Sequence, residues 1–236
     1  MLTKMVACTA HLLAHQQPYQ MVKPAMQQSQ QPIIPDFQRA AESLQEQLPI
    51  TSNSSNMKVF VFLADGFEEI EAIAPIDIFR RAEIEVVTVS IAAQKAVNGA
   101  HGIPVLADTH FSVVEFADDD LLFLPGGMPG TKNLDAHVGL KNLIKLQAQK
   151  GGKLAAICAA PSILGKMELL QGKEAICYPG FEKELVGATL SESNIVKADN
   201  IYTAKGAGVA IQFALRLVEE LKGKDEAIRI ANSICL

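Results

Sequence analysis

No glycine stands among the first 56 residues; all 16 lie beyond Met57. That N-terminal stretch instead holds ten of the glutamines and five of the 11 prolines, in runs such as HQQPYQ, QQSQQP and TSNSSN. A segment without turn glycines or sustained apolar periodicity has little to bury. Residues 1–56 are therefore expected to form a disordered or non-native extension, with a short helix over Asp36–Gln47. There is no arginine before Arg39 and no clean apolar h-region, which argues against a signal or transit peptide. Met57 opens a strand at once and reads as an alternative start.

Other scarcities exclude whole classes of function. The four cysteines, Cys8, Cys158, Cys177 and Cys235, show neither paired nor C-x-x-C spacing, which points to free thiols in a reducing, cytoplasmic setting. A formal net charge of -5 argues against nucleic acid or an anionic membrane as the main partner. No apolar run reaches the length of a membrane-spanning helix. Neither G-x-x-x-x-G-K nor G-x-G-x-x-G occurs, and no His, Cys or carboxylate spacing suggests a metal cage. No cofactor and no metal are expected.

What is present, from residue 57 to 236, is strand and helix in alternation. Lys58–Leu63, a short apolar run of β-branched and aromatic residues, has the pattern of a buried parallel strand, and Glu85–Ser90, Leu121–Leu124 and Lys153–Ile157 are further short core strands. A helix is expected from Glu68 to about Ala82, interrupted at Pro75, and further helices at Leu140–Gln149, Val209–Leu221 and Asp225–Ile234. Val97–Asp108, punctuated by glycines and Pro104, reads as a hairpin or irregular β excursion, and Asp118–Asp120 as a solvated turn. Glu174–Cys177 is a weak strand, and Ile195–Lys197 with Ile201–Thr203 a strand pair. The fold class is α/β, with a mostly parallel sheet covered on both faces.

Three strand ends carry unusual chemistry, and in open α/β sheets ligands bind beyond such ends. Cys158 ends the Lys153–Ile157 strand, and Pro161 soon opens a helix. It thus sits on a strand-to-helix elbow where free N–H groups favour a thiolate, its alternative being an inert core residue. Glu71 lies in the apolar stripe of Ala74, Pro75, Ile78 and Ala82, where burial would raise its pKa and keep a proton for the thiol. Glu68 and Glu69 are accounted for by the helix start and solvent. Gly126 and Gly127 permit close backbone approach, and with the Ala159 N–H they could line an oxyanion pocket. His101, between Gly99 and Gly102, is the histidine placed to reach another surface.

FLADGFEEIEAIAPIDIFRRA, LFLPGGMPG, AAICAAPS and KGAGVAIQFALRLVEEL occur in that order across Met57–Leu221. Together they resemble the ThiJ/PfpI family of the class I glutamine-amidotransferase-like superfamily. The resemblance implies a flavodoxin-like three-layer sandwich, a homodimer, and a cofactor-independent glyoxalase or deglycase acting on methylglyoxal or its adducts. It also implies Cys158 as the reactive cysteine, Glu71 as the acid beside it, and Gly126, Gly127 and Ala159 as the anion pocket. His101 falls where relatives place a polar residue reaching the partner subunit, and Tyr178 stands where some glyoxalase-active members carry histidine. Ala159 follows the cysteine where protease-like members have histidine, which counts against a peptidase. A non-catalytic oxidation sensor or chaperone is the competing expectation, and a small-molecule hydrolase or amidase a third.

Overall fold

The computed structural model describes residues 57–236; the readings made for residues 1–56 lie outside the described residues. β1 (Lys58–Leu63) runs parallel to β2 (Glu85–Ser90) on one side and to β6 (Leu121–Leu124) on the other. β7 (Lys153–Ile157) pairs parallel with β6 and with β11 (Ile201–Ala204), while β10 (Ile195–Ala198) closes that edge antiparallel. β5 (Thr109–His110) pairs parallel with β2 at the opposite edge, giving the seven-stranded order β10-β11-β7-β6-β1-β2-β5. This is the flavodoxin-like α/β fold.

Alternation along each strand divides the core in two, because successive side chains point to opposite faces of a sheet. Val59, Val61 and Leu63 of β1 join Ala72, Ile76 and Phe79 of α1 (Glu69–Arg81) and Phe213 and Leu217 of α5 (Ala210–Lys222). Ile230 of α6 (Lys224–Ser233) completes that layer. Phe60 and Phe62 face the other way. They pack with Leu134 of α2 (Gly130–Ala136), Leu140 and Ile144 of α3 (Val138–Gln149) and Ile163 of α4 (Pro161–Lys166). The sheet is thus the middle of three layers.

The order places a topological switch point between β1 and β6. The chain leaves β1 through α1 toward β2, then returns on the other side of β1 as β6. Their connections splay in opposite directions at the carboxyl ends and leave a crevice, the habitual ligand position in such sheets.

Three details differ from the sequence reading. Pro75 does not interrupt α1, which runs unbroken from Glu69 to Arg81 with Pro75 buried. Packing of Ala72, Ile76 and Phe79 outweighs the one backbone bond that a proline cannot return. Asp120 is not solvated but buried, accepting from the N–H groups of Lys58 (2.8 Å) and Ala117 (2.7 Å). It thereby pins the start of β1 beside the turn into β6. The weak strand shrinks to β8 (Glu174–Ala175), paired parallel with β9 (Thr189–Leu190), a segment with no strand signature of its own. The hairpin forms as β3 (Ala96–Asn98) against β4 (Pro104–Leu106).

Replacing Asp120 by Ala leaves two partly buried N–H groups without their acceptor. A loss of about 2 kcal/mol in urea unfolding at neutral pH is expected; unchanged stability would show that the pin is dispensable.

Candidate functional site

Cys158 leaves β7 in the left-handed region, with φ of 65°. A non-glycine residue held there costs on the order of 1–3 kcal/mol, and persists only where its surroundings over-determine it. Both of its backbone groups are fixed: its N–H donates to the Ala204 carbonyl at 2.9 Å, and its carbonyl accepts from the Tyr178 N–H at 2.7 Å. The turn lifts the side chain off the end of the sheet. Pro161 then opens α4 at a position where its missing N–H is no loss.

Glu71 reaches the same point from α1. It is 1% exposed, and its carboxyl hydrogen-bonds the Cys158 side chain. Its Oε2 also accepts from the Gly126 N–H at 2.9 Å, and the Ala207 N–H donates to it as well. The approach of the β6 turn is so close that a Cβ on Gly126 would lie 2.5 Å from Glu71 Oε2 and 2.6 Å from Cys158 Cβ. Only glycine fits there.

The three amides named from the sequence divide. Those of Gly127 and Ala159 face the Cys158 sulfur, whereas that of Gly126 is committed to Glu71. Gly127 adopts φ of 91°, which turns its N–H inward. The sulfur therefore faces two amide donors and donates its own proton to the Glu71 carboxylate.

Burial, the largest influence on both side chains, disfavours charge. It pushes Glu71 up to about 7, against the pull of the Cys158 and Gly126 hydrogen bonds. It pushes the Cys158 thiol up to about 12, aided by the charge of Glu71 and only partly offset by the Gly127 and Ala159 amides. The thiolate expected from the elbow alone is thus corrected. α4 has only six residues and starts three positions beyond the cysteine, so it supplies little dipole, and desolvation dominates. Around neutral pH the carboxyl gives up its proton first while the remaining one stays on sulfur, hydrogen-bonded to the carboxylate, so the two titrations are coupled.

His101 is tied to Glu68 and Glu69. Its side chain is 67% exposed, with Nδ1 2.8 Å from Glu69 Oε2, and its own N–H donates to Glu69 Oε1 at 2.7 Å. Glu69, expected in solvent, is buried because it anchors the β3–β4 hairpin, accepting from Ile103 N–H as well. Glu68, Glu69 and His101 are the group of ligand-type side chains whose donor atoms cluster within 4.8 Å among the described residues. The hairpin's N–H groups and the His101 ring already account for their geometry. Tyr178 is half exposed on the far wall, tied to the elbow through its backbone. Its neighbours Gly206, Ala207 and Val209 complete that wall. The Ala207 amide is the functional contact the sequence did not point to, because an alanine signals nothing about its backbone.

A doubly covered parallel sheet with a strained cysteine elbow, an adjoining buried acid and a diglycine turn defines a class of α/β protein built around one thiol. The chain belongs to the DJ-1/PfpI family, which it matches over residues 57–220. It is 38% identical over 188 residues to Protein DJ-1 homolog B of Arabidopsis thaliana, covering 79% of this chain but 43% of that protein, less than half its length. It is 29% identical to the glutathione-independent glyoxalase DJ-1 of Schizosaccharomyces pombe, covering 76% of this chain and 99% of the relative. Among solved structures, oxidized Toxoplasma gondii DJ-1 superposes with a TM-score of 0.72 at 37% identity, covering 76% of this chain and 98% of that one.

The shared proton sets a pH profile. Alkylation of Cys158 by iodoacetamide should rise through pH about 7 as the pair loses its first proton. In Glu71→Gln that step should vanish, leaving a single rise below about 12, because the carboxylate that holds the thiol up is gone. A variant that keeps the step near 7 would assign it to another group.

Proposed function

We propose that the protein is a cofactor-independent, cysteine-dependent glyoxalase or deglycase acting on methylglyoxal or its adducts. The observation that carries this reading is the buried Glu71 carboxyl hydrogen-bonded to the Cys158 thiol and pushed up to about 7. A group of that pKa can both accept and return a proton at neutral pH.

The chemistry needs nothing beyond the substrate, water and these side chains. Glu71 takes the thiol proton as sulfur adds to the aldehyde carbon and returns it to the new oxyanion, held by the Gly127 and Ala159 amides, giving a hemithioacetal and a free carboxylate. Glu71 then removes the hydrogen from that carbon and a proton is delivered to the neighbouring carbon. This oxidises the first carbon and reduces the second within one molecule. Water cleaves the resulting thioester, releasing a 2-hydroxy acid and the free thiol. Because the base sits beside the nucleophile, the pushed-up thiol is no obstacle: its proton moves as the carbon–sulfur bond forms. The fission-yeast relative named as a glyoxalase supports the same direction.

The competing reading is an oxidation sensor, in which the two amides and the Glu71 proton would hold a sulfinate. A thiol pushed up to about 12 favours the base-assisted addition over spontaneous oxidation.

We also propose a homodimer. Ile70 and Ile73 of α1, with Ile103 and Leu106 of the hairpin, are 55%, 41%, 55% and 74% exposed, an apolar face beside the site. A cytoplasmic setting belongs to the same proposal, resting on the free state of Cys158, Cys177 and Cys235. No helix among the described residues is long and apolar enough to cross a membrane.

Incubation with methylglyoxal should yield lactate by NMR, with Cys158→Ser and Glu71→Gln each slowed at least about 100-fold; no lactate, or a Cys158→Ser variant as fast as wild type, would refute the enzyme reading. Sedimentation should give a dimer that Ile73→Glu with Leu106→Glu converts to monomer. A monomeric wild type would refute the interface.

A further inference from the structure

Beside the site lies a pocket much larger than methylglyoxal. Tyr178, Pro179, Lys205, Gly206, Ala207 and Val209 line a space of about 340 Å³. At roughly 30 Å³ per water, it could hold on the order of ten water molecules. Its wall is tied to the reactive pair through the backbone. The Ala207 N–H donates to Glu71, the Tyr178 N–H donates to the Cys158 carbonyl, and a Cβ on Gly206 would stand 3.3 Å from the Tyr178 ring and 3.9 Å from Glu71 Oε1. A group attached to a carbon held at Cys158 therefore has this pocket as its neighbour.

The lining has a defined chemistry. Tyr178 offers an aromatic surface, Pro179 and Val209 offer apolar ones, and the glycine and alanine backbones leave the floor open. Lys205 is the single charged side chain of the lining. It is exposed and forms no ion pair with another described residue. A flat apolar group would be covered by the ring, and an anion at its far end would meet the ammonium.

We propose that this pocket is the subsite for the substituent of the dicarbonyl, and that the favoured substrates are 2-oxoaldehydes whose carbonyl carries an aromatic or similarly flat apolar group ending in a carboxylate. The proposal rests on the glyoxalase reading of Cys158 and Glu71 and adds to it the identity of the substrate's distal half. Methylglyoxal would then be a minimal substrate that leaves the pocket empty.

The test compares kcat/KM for methylglyoxal, phenylglyoxal and 4-carboxyphenylglyoxal in the full chain. The ratio of the carboxylated to the plain aryl substrate should fall about threefold in Lys205→Met, the scale of an exposed charge pair. The ratio of phenylglyoxal to methylglyoxal should fall about fivefold in Tyr178→Ala, as an aromatic contact is lost. A readout free of turnover accompanies it: calorimetric binding of 4-acetylbenzoate, which lacks the aldehyde, to Cys158→Ser protein with and without Lys205→Met. Ratios that stay the same in both variants would overturn the subsite, as they would if a second copy of the chain fills it. If no dicarbonyl is turned over, the glyoxalase reading fails, and the binding arm still decides: weaker binding in Lys205→Met supports the subsite, and no binding to either protein overturns it.

Discussion

One proton held between a buried carboxyl and a half-buried thiol is the constraint on which the rest of the site depends. Glu71 and Cys158 come from different strand ends, and neither would be notable alone. Together they carry two groups that both resist charge, in a crevice that can stabilise one negative charge. Every neighbouring feature bears on where that charge rests. The Gly126 and Ala207 amides favour it on the carboxyl, while those of Gly127 and Ala159 favour it on sulfur. Glu71, pushed up to about 7, can take the thiol proton as a bond forms at sulfur, with little reorganisation of the surroundings.

The fold supplies this arrangement by bringing unrelated segments to one point. The β1–β6 switch opens the crevice, α1 delivers a carboxyl from its buried face, and β7 ends in a left-handed turn that its neighbours hold in place. The strain at Cys158 is tolerable because both of its backbone groups are hydrogen-bonded to adjacent segments, Ala204 and Tyr178. Those two segments also lead into the pocket wall, so the geometry of the nucleophile and the shape of the neighbouring pocket are set by the same few residues.

Much of this was legible in the sequence, for identifiable reasons. The core strands are short apolar runs, and the period of α1 puts Glu71 among the residues it buries. The elbow follows from a strand stopping at Cys158 with Pro161 just beyond. What was not legible depends on partners far along the chain. Asp120 looks like one more acidic turn residue until the N–H groups of Lys58 and Ala117 are seen to converge on it. Glu69 looks solvated until the hairpin folds over it. β8 and β9, two residues each, are too short for any period to register. The direction of the Cys158 shift was misread because desolvation is a property of the packed site, whereas the elbow motif announces only the amides.

The most direct test of the shared proton is the titration of the Glu71 carboxyl itself, followed by carbon-13 NMR of protein labelled at glutamate and assigned with Glu71→Gln. The account predicts an inflection near pH 7, displaced in Cys158→Ser because the sulfur that shares the proton is gone. An inflection in the ordinary carboxylate range, unmoved by Cys158→Ser, would contradict it.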